Sequence, residues 1–283
     1  MSNLYLLDLL DEVLETVLMT GFIKDEIPVS MMLVAPSGTA KSQMLMRYEA
    51  SFIIRTDSIS SQGLFDLLHK DTKNEYRFMI IPDFNPTLSR RPTTVDAAIA
   101  NLLSMTTDGT VRVDDGRQEK EVKHNPVAML TACTPQIYHK HAKKWFALGI
   151  RRRIIPIHFT YSASTESKLQ KLVQEAQIHS IKVDAKKLSL LKSSQPTIPN
   201  ELASDIAVLS QQFALNLGKG RVVVEKRYKY TNDKVVPISP HVTLRILARA
   251  HALMDKRPIV NAQDVDFLRL FLDFTDPEFP KAI

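Results

Sequence analysis

Cysteine is almost missing: Cys133 is the only one in 283 residues. That rules out an intrachain disulfide and any zinc finger built on several thiolates, and a reducing, cytoplasmic setting is expected. No run of eighteen apolar residues occurs, so no membrane-spanning helix and no membrane partner are expected. The amino terminus lacks a cationic segment followed by an apolar core, the pattern of a secretory leader. Internal repeats and low-complexity tracts are missing too. Glycine is scarce, 8 residues in all, which by itself does not discriminate between functions.

What is present suits a folded chain. Hydrophobic residues make up 44% and charged residues 24%, ordinary values that allow a sizeable core. The length fits one large domain, or a core domain with a smaller companion. A formal charge of +6 leans mildly towards anionic partners such as nucleotide or nucleic acid.

The chain opens on an acidic amphipathic helix with Leu6, Leu9, Leu10, Val13, Leu14 and Val17 expected on one side. Val29 to Val34 reads as a strand, followed by a Pro-Ser-Gly turn and a helix from Lys41. Phe52 to Ile54, Phe78 to Ile81, Val127 to Ala132 and Ile154 to Phe159 read as further strands, and Thr94 to Met105 has helical spacing. Thr110 to Val113 and Gln118 to Lys123 flank Asp114-Asp115-Gly116, a hairpin signal. Strands alternating with helices predict an α/β fold with a parallel sheet covered on both faces. From about Ser162 helical patterns dominate, interrupted by a hairpin-like segment from Arg221 to Val236. The predicted division is therefore an α/β core over 1–162 and a smaller, mostly helical part over 163–283.

Ala35-Pro36-Ser37-Gly38-Thr39-Ala40-Lys41-Ser42 lies between strand and helix, the context a phosphate-binding loop requires. Loop N–H groups and the helix start would attract a β-phosphate, Lys41 would reach the β- and γ-phosphates, and Ser42 would ligate Mg2+. The strict pattern has glycine at its first and sixth positions; alanine stands at both here. The plainer alternative is an ordinary strand-turn-helix with an exposed lysine.

Gly38-Thr39-Ala40-Lys41-Ser42-Gln43 resembles the Walker A motif of the minichromosome maintenance (MCM) helicases, which also carry alanine before the lysine. Ser60-Ser61-Gln62-Gly63-Leu64 is similar to their Ser-Ser-Ala-Val-Gly-Leu stretch, and Ile81-Pro82-Asp83-Phe84-Asn85 to their Ile-Asp-Glu-Phe-Asp Walker B. Thr131-Ala132-Cys133-Thr134-Pro135 stands where they have Ala-Ala-Asn-Pro. Ser239-Pro240-His241 to Asp264-Val265 resembles the lid of MoxR-type ATPases, of the same AAA+ clade. The likeness spans roughly residues 28 to 275. It implies a P-loop AAA+ core with a helical lid, ATP and Mg2+ as cofactors, and a ring of identical subunits, expected to be a hexamer.

The resemblance also assigns roles. Asp83 takes the Walker B place, as catalytic acid or as metal-shell acid depending on the alignment; either way one acid remains where the family has two. Thr134 stands at the sensor 1 position. The run Arg151-Arg152-Arg153 stands where an arginine reaches a neighbour's ATP, and Arg152 is the preferred candidate; a solvated basic run is the alternative. His241, or Arg245 one turn on, stands at the sensor 2 position. In MCM helicases the hairpin before sensor 1 contacts DNA. Here Arg112, Arg117, Lys120 and Lys123 are the nucleic-acid candidates, diluted by Asp114, Asp115, Glu119 and Glu121. His139 to Lys144 and Lys226 to Lys229 are further basic stretches, while Cys133 and Trp145 read as packing residues. Only about thirty residues precede the loop, so specificity would come from a partner protein. A motor acting on DNA, a MoxR-like remodeller of a protein client and an ATP-binding regulatory assembly with weak hydrolysis all remain open.

Overall fold

The computed structural model describes residues 7–114, 118–176, 186–187, 195–224, 227–232, 235–278 and 280–283. The first half runs α1 (Asp8–Met19), β1 (Ser30–Val34), α2 (Lys41–Met46), β2 (Tyr48–Glu49), β3 (Ile53–Arg55), α3 (Ser61–Lys70), β4 (Phe78–Ile81), α4 (Asn85–Leu88) and α5 (Pro92–Asp108). A hairpin follows, β5 (Thr110–Asp114) and β6 (Glu119–Lys123), then β7 (Ala128–Cys133), α6 (Pro135–Ala147), α7 (Ile150–Arg153) and β8 (Ile154–Thr160). Beyond these come α8 (Ala163–Ala176), β9 (Lys186–Lys187), α9 (Asn200–Gly218), the hairpin β10 (Lys219–Val224) with β11 (Arg227–Asn232), α10 (Ile238–Met254), α11 (Ala262–Thr275) and β12 (Lys281–Ala282).

Six strands form one parallel sheet in the order β12-β8-β1-β7-β4-β3. β1, β4 and β7 are buried along their whole length, which is why they are continuous apolar runs rather than alternating ones. Alternation still sorts their side chains between faces. Met31, Leu33, Phe78, Ile80, Leu130 and Ile157 point to one face, where α1, α2 and the helices α9 to α11 join a single hydrophobic cluster. Met32, Val34, Met79, Ile81, Met129 and Cys133 point to the other, against α3, α5 and α6.

This layering follows from the chain path. The connection from β1 runs past β7 and β4 to β3, whereas that from β7 runs past β1 to β8. Right-handed crossovers in opposite directions put α2 and α6 on opposite faces. Between the carboxyl ends of β1 and β7 the strand order switches direction, and in open α/β sheets ligands bind at such a place.

Two details correct the sequence reading. Leu9 is 42% exposed; Leu10, Val13, Leu14 and Val17 of the expected stripe are buried, joined by Leu18, and Leu6 lies outside the described residues. The second hairpin begins at Lys219, two residues before the predicted start. Of the predicted long helical stretch, α8 and α9 are described as separate helices, and Pro199 is the N-cap of α9. No helix among the described residues is long and apolar enough to cross a membrane.

Candidate functional site

The 35–42 loop leaves β1 at the switch point. Ala35 is buried and its N–H is donated to the Cys133 carbonyl of β7 at 3.4 Å. Pro36, Ser37 and Gly38 are exposed, and Gly38 has φ +83°. Ala40, the residue before Lys41, has φ 58° and ψ 13°, a left-handed conformation that costs an L-residue about 1 kcal/mol. The two alanines in place of glycine thus differ. Ala35 keeps a negative φ and carries no such cost, while Ala40 holds a backbone shape that glycine would adopt freely. Helix α2 is only six residues long, so its dipole adds less than a longer helix would, and the loop N–H groups carry more of the anion attraction.

Lys41 is half-buried, and its ammonium donates to the Pro36 carbonyl at 2.9 Å, a carbonyl that also accepts from the Thr39 hydroxyl. Burial lowers the Lys41 pKa; nearby Cys133 and Asp83 push it back up in part. The Ser42 hydroxyl donates to the Pro82 carbonyl at 2.8 Å. Residues from α2 and from the end of β4 are therefore in direct contact across the loop. Asp83 is exposed, and its carboxylate accepts from the Asn85 N–H at 3.0 Å, which fixes its turn. Phe84 is buried against Trp145 with ring centres 6.3 Å apart, and its N–H reaches the Ala132 carbonyl. These contacts bear on the alignment left open in the sequence: the residue beside Ser42 is Pro82, which has no carboxylate, and Asp83 is the next one out.

Thr134 follows β7, and its carbonyl accepts from Tyr138 N–H at the start of α6. Cys133 is buried, with its thiol pushed up to about 12 by burial, so it is a packing residue. The donor set fits a Mg2+ ion carried by a phosphate ligand. Such an ion keeps several waters and needs only one or two protein groups, here the Ser42 hydroxyl and the Asp83 carboxylate. Among the described residues no group of three His, Cys, Asp or Glu could hold an ion unaided.

The three arginines separate clearly. Arg151 is buried, lies over the Tyr138 ring and donates to the Lys219 carbonyl, so it ties α7 to β10. Arg152 and Arg153 are exposed. His241 and Arg245 lie in the first half of α10, a helix that packs on α1, α9 and α11. Nearby Asp264, predicted to end the lid motif, is a fully buried capping-box residue bound to His251 and Arg257. In the β5–β6 hairpin, Arg112 pairs with Glu121 at 2.7 Å, and Lys123 pairs with the same carboxylate at 3.2 Å. Arg112 and Lys123 are thus engaged within the hairpin; Lys120 is exposed, and Arg117 lies outside the described residues, as does Lys226. Along the His139 to Lys144 stretch, His139 is buried and Lys144 pairs with Asp96.

A cleft of about 840 Å³ lies at the opposite, amino end of the sheet, lined by Lys24, Glu26, Phe52, Asn74 and Arg77 among others. The convergent donors at the carboxyl end argue for the loop instead. One residue of the loop's surroundings carried no motif in the sequence, Tyr161, whose hydroxyl donates to the Thr39 carbonyl. Comparison with known protein families and with characterised proteins finds no match to this chain.

Proposed function

We propose that this protein is an AAA+ ATPase of the MCM/MoxR-like clade that binds ATP with Mg2+ on the 35–42 loop. The observation that carries the reading is the Ser42–Pro82 contact at 2.8 Å, which ties the loop's hydroxyl to the residue before Asp83 at the switch point of a parallel sheet. In this reading Lys41 exchanges the Pro36 carbonyl for the β- and γ-phosphates, a stronger, charge-assisted partner. Ser42 and Asp83 flank the ion that ATP carries, and Asp83 orients the water that attacks the γ-phosphorus while ADP leaves. Thr134 lies beside the γ-phosphate. His241 and Arg245 belong to a lid formed by the helical part. Subunits form a ring, expected to be a hexamer, in which an exposed arginine of one protomer reaches the ATP of the next. Arg152 remains the preferred finger, with Arg153 equally exposed.

The substrate proposed is DNA, with specificity supplied by a partner protein. A motor of this type should show ATP turnover that rises with single- or double-stranded DNA and vanishes in Lys41→Ala. Turnover indifferent to DNA points to a protein client. A second reading, an assembly switched by ATP with slow hydrolysis, is favoured by the position of Pro82. With a proline beside Ser42, the metal shell lacks its usual acid. Pro82→Asp should then raise turnover and make ATP binding more dependent on Mg2+. Fast wild-type turnover unchanged by that substitution would sink the second reading.

A further inference from the structure

Tyr161 stands 122 positions from Thr39 in the chain, yet its hydroxyl donates to the Thr39 carbonyl at 3.0 Å. Both sides of Tyr161 are anchored. The Ser162 N–H donates to the Ile283 carbonyl at 2.8 Å, and the Ile283 N–H donates to the Thr160 carbonyl at 3.0 Å. The ring itself packs on the larger hydrophobic cluster, and burial pushes its phenol up to about 12, so it stays a donor at neutral pH. Tyr161 is thus a rigid pin placed against the expected phosphate loop.

The pin acts on one peptide unit. Across a trans peptide the C=O and N–H point in opposite directions. Holding the Thr39 carbonyl towards Tyr161 therefore turns the Ala40 N–H away from it. Ala40 is also the residue whose left-handed backbone is disfavoured for alanine, so an unpinned loop would have reason to turn this peptide over. A glycine loop would not need such a clamp. Thr39 is further fixed by its hydroxyl bond to the Pro36 carbonyl.

We propose that Tyr161 is a positioning residue for phosphate binding, aiming the Ala40 N–H at the phosphate by clamping the Thr39 carbonyl. This rests on the phosphate-loop reading above. Tyr161→Phe keeps the ring and its packing and removes only the donor. Titrations of ATP and of pyrophosphate, each with Mg2+, should both weaken by about five- to tenfold, the factor one net hydrogen bond supplies. The melting temperature of the unliganded protein should fall by no more than the few degrees that loss of one hydrogen bond gives. Unchanged affinities would overturn the proposal. A loss for ATP alone would overturn it too, because Tyr161 would then serve the base rather than the phosphates. Weakened binding with a much larger fall in melting temperature would make Tyr161 a structural residue. Failure of the wild type to bind either ligand would overturn the phosphate-loop reading itself and is seen before any variant is made.

Discussion

The two ends of the central sheet hold polar groups of different character. At the amino end, around the 840 Å³ cleft, polar groups satisfy one another. The Gln195 amide bridges Lys24 N–H and the Phe22 carbonyl, Arg249 pairs with Glu26 at 3.0 Å, and Arg77 donates to the Asn74 and Tyr76 carbonyls. The Gln195 and Arg249 bonds link segments far apart in sequence and work as stitching. At the carboxyl end, among the described residues, the Lys41 ammonium and the Ser42 hydroxyl each donate to a neutral carbonyl. The Lys41 bond would exchange at small cost for one to an anion, because an ionised acceptor binds such a donor about twice as strongly as a neutral one. A candidate binding end is thus told from a structural end by what its donors would gain from a ligand.

The largest expected effect lies on the structural side. Asp264 is fully buried and accepts from Arg257, His251 and the Asn261 N–H. Asp264→Ala leaves those partners uncompensated and should cost about 3 kcal/mol or more in urea unfolding. Lys41→Ala should do the reverse. ATP affinity should drop about 10- to 100-fold, the weight of a hydrogen bond to a charged group, with stability nearly unchanged. Arg249→Ala at the amino end should lower stability by about 1 kcal/mol and leave ATP affinity alone; a matching loss of affinity would break the distinction between the ends. Ala40→Gly should stabilise the free protein by up to about 1 kcal/mol by removing the left-handed alanine.

A smaller, pH-dependent effect sharpens the same contrast. Burial of His251 opposes its charge, but its hydrogen bonds to Asp264 and Glu12 win, so its pKa is raised. A raised folded pKa gives stability that is full below the unfolded value, about 6.5, and is lost as pH climbs through the folded one. Unfolding free energy should therefore decline as pH rises above about 6.5, and His251→Gln should flatten that part of the profile.

Much of this arrangement was legible in the residues. Phe78 to Ile81 and Val127 to Ala132 are apolar throughout because both faces of those strands are buried, and composition reports burial directly. The strand-loop-helix around Lys41 was legible because proline, glycine and lysine punctuate it. Short elements were not legible: β2, α4, α7 and β12 have two to four residues each, too few for a period to form. The exposed Leu9 shows the same limit at a helix start, where one more turn would have settled the stripe. The role of Arg151 was hidden for another reason. Whether an arginine is buried depends on segments that meet only in the fold, as Arg151 meets Lys219. Tyr161 is the clearest case, since nothing near it in the chain hints at Thr39.

A crystal structure with a non-hydrolysable ATP analogue and Mg2+ tests the central claim most directly. The account predicts phosphate density cradled by residues 37–42, with the Lys41 ammonium moved from the Pro36 carbonyl onto the phosphates and the ion between Ser42 and Asp83. An analogue seated in the amino-end cleft, with Lys41 still on Pro36, would contradict it.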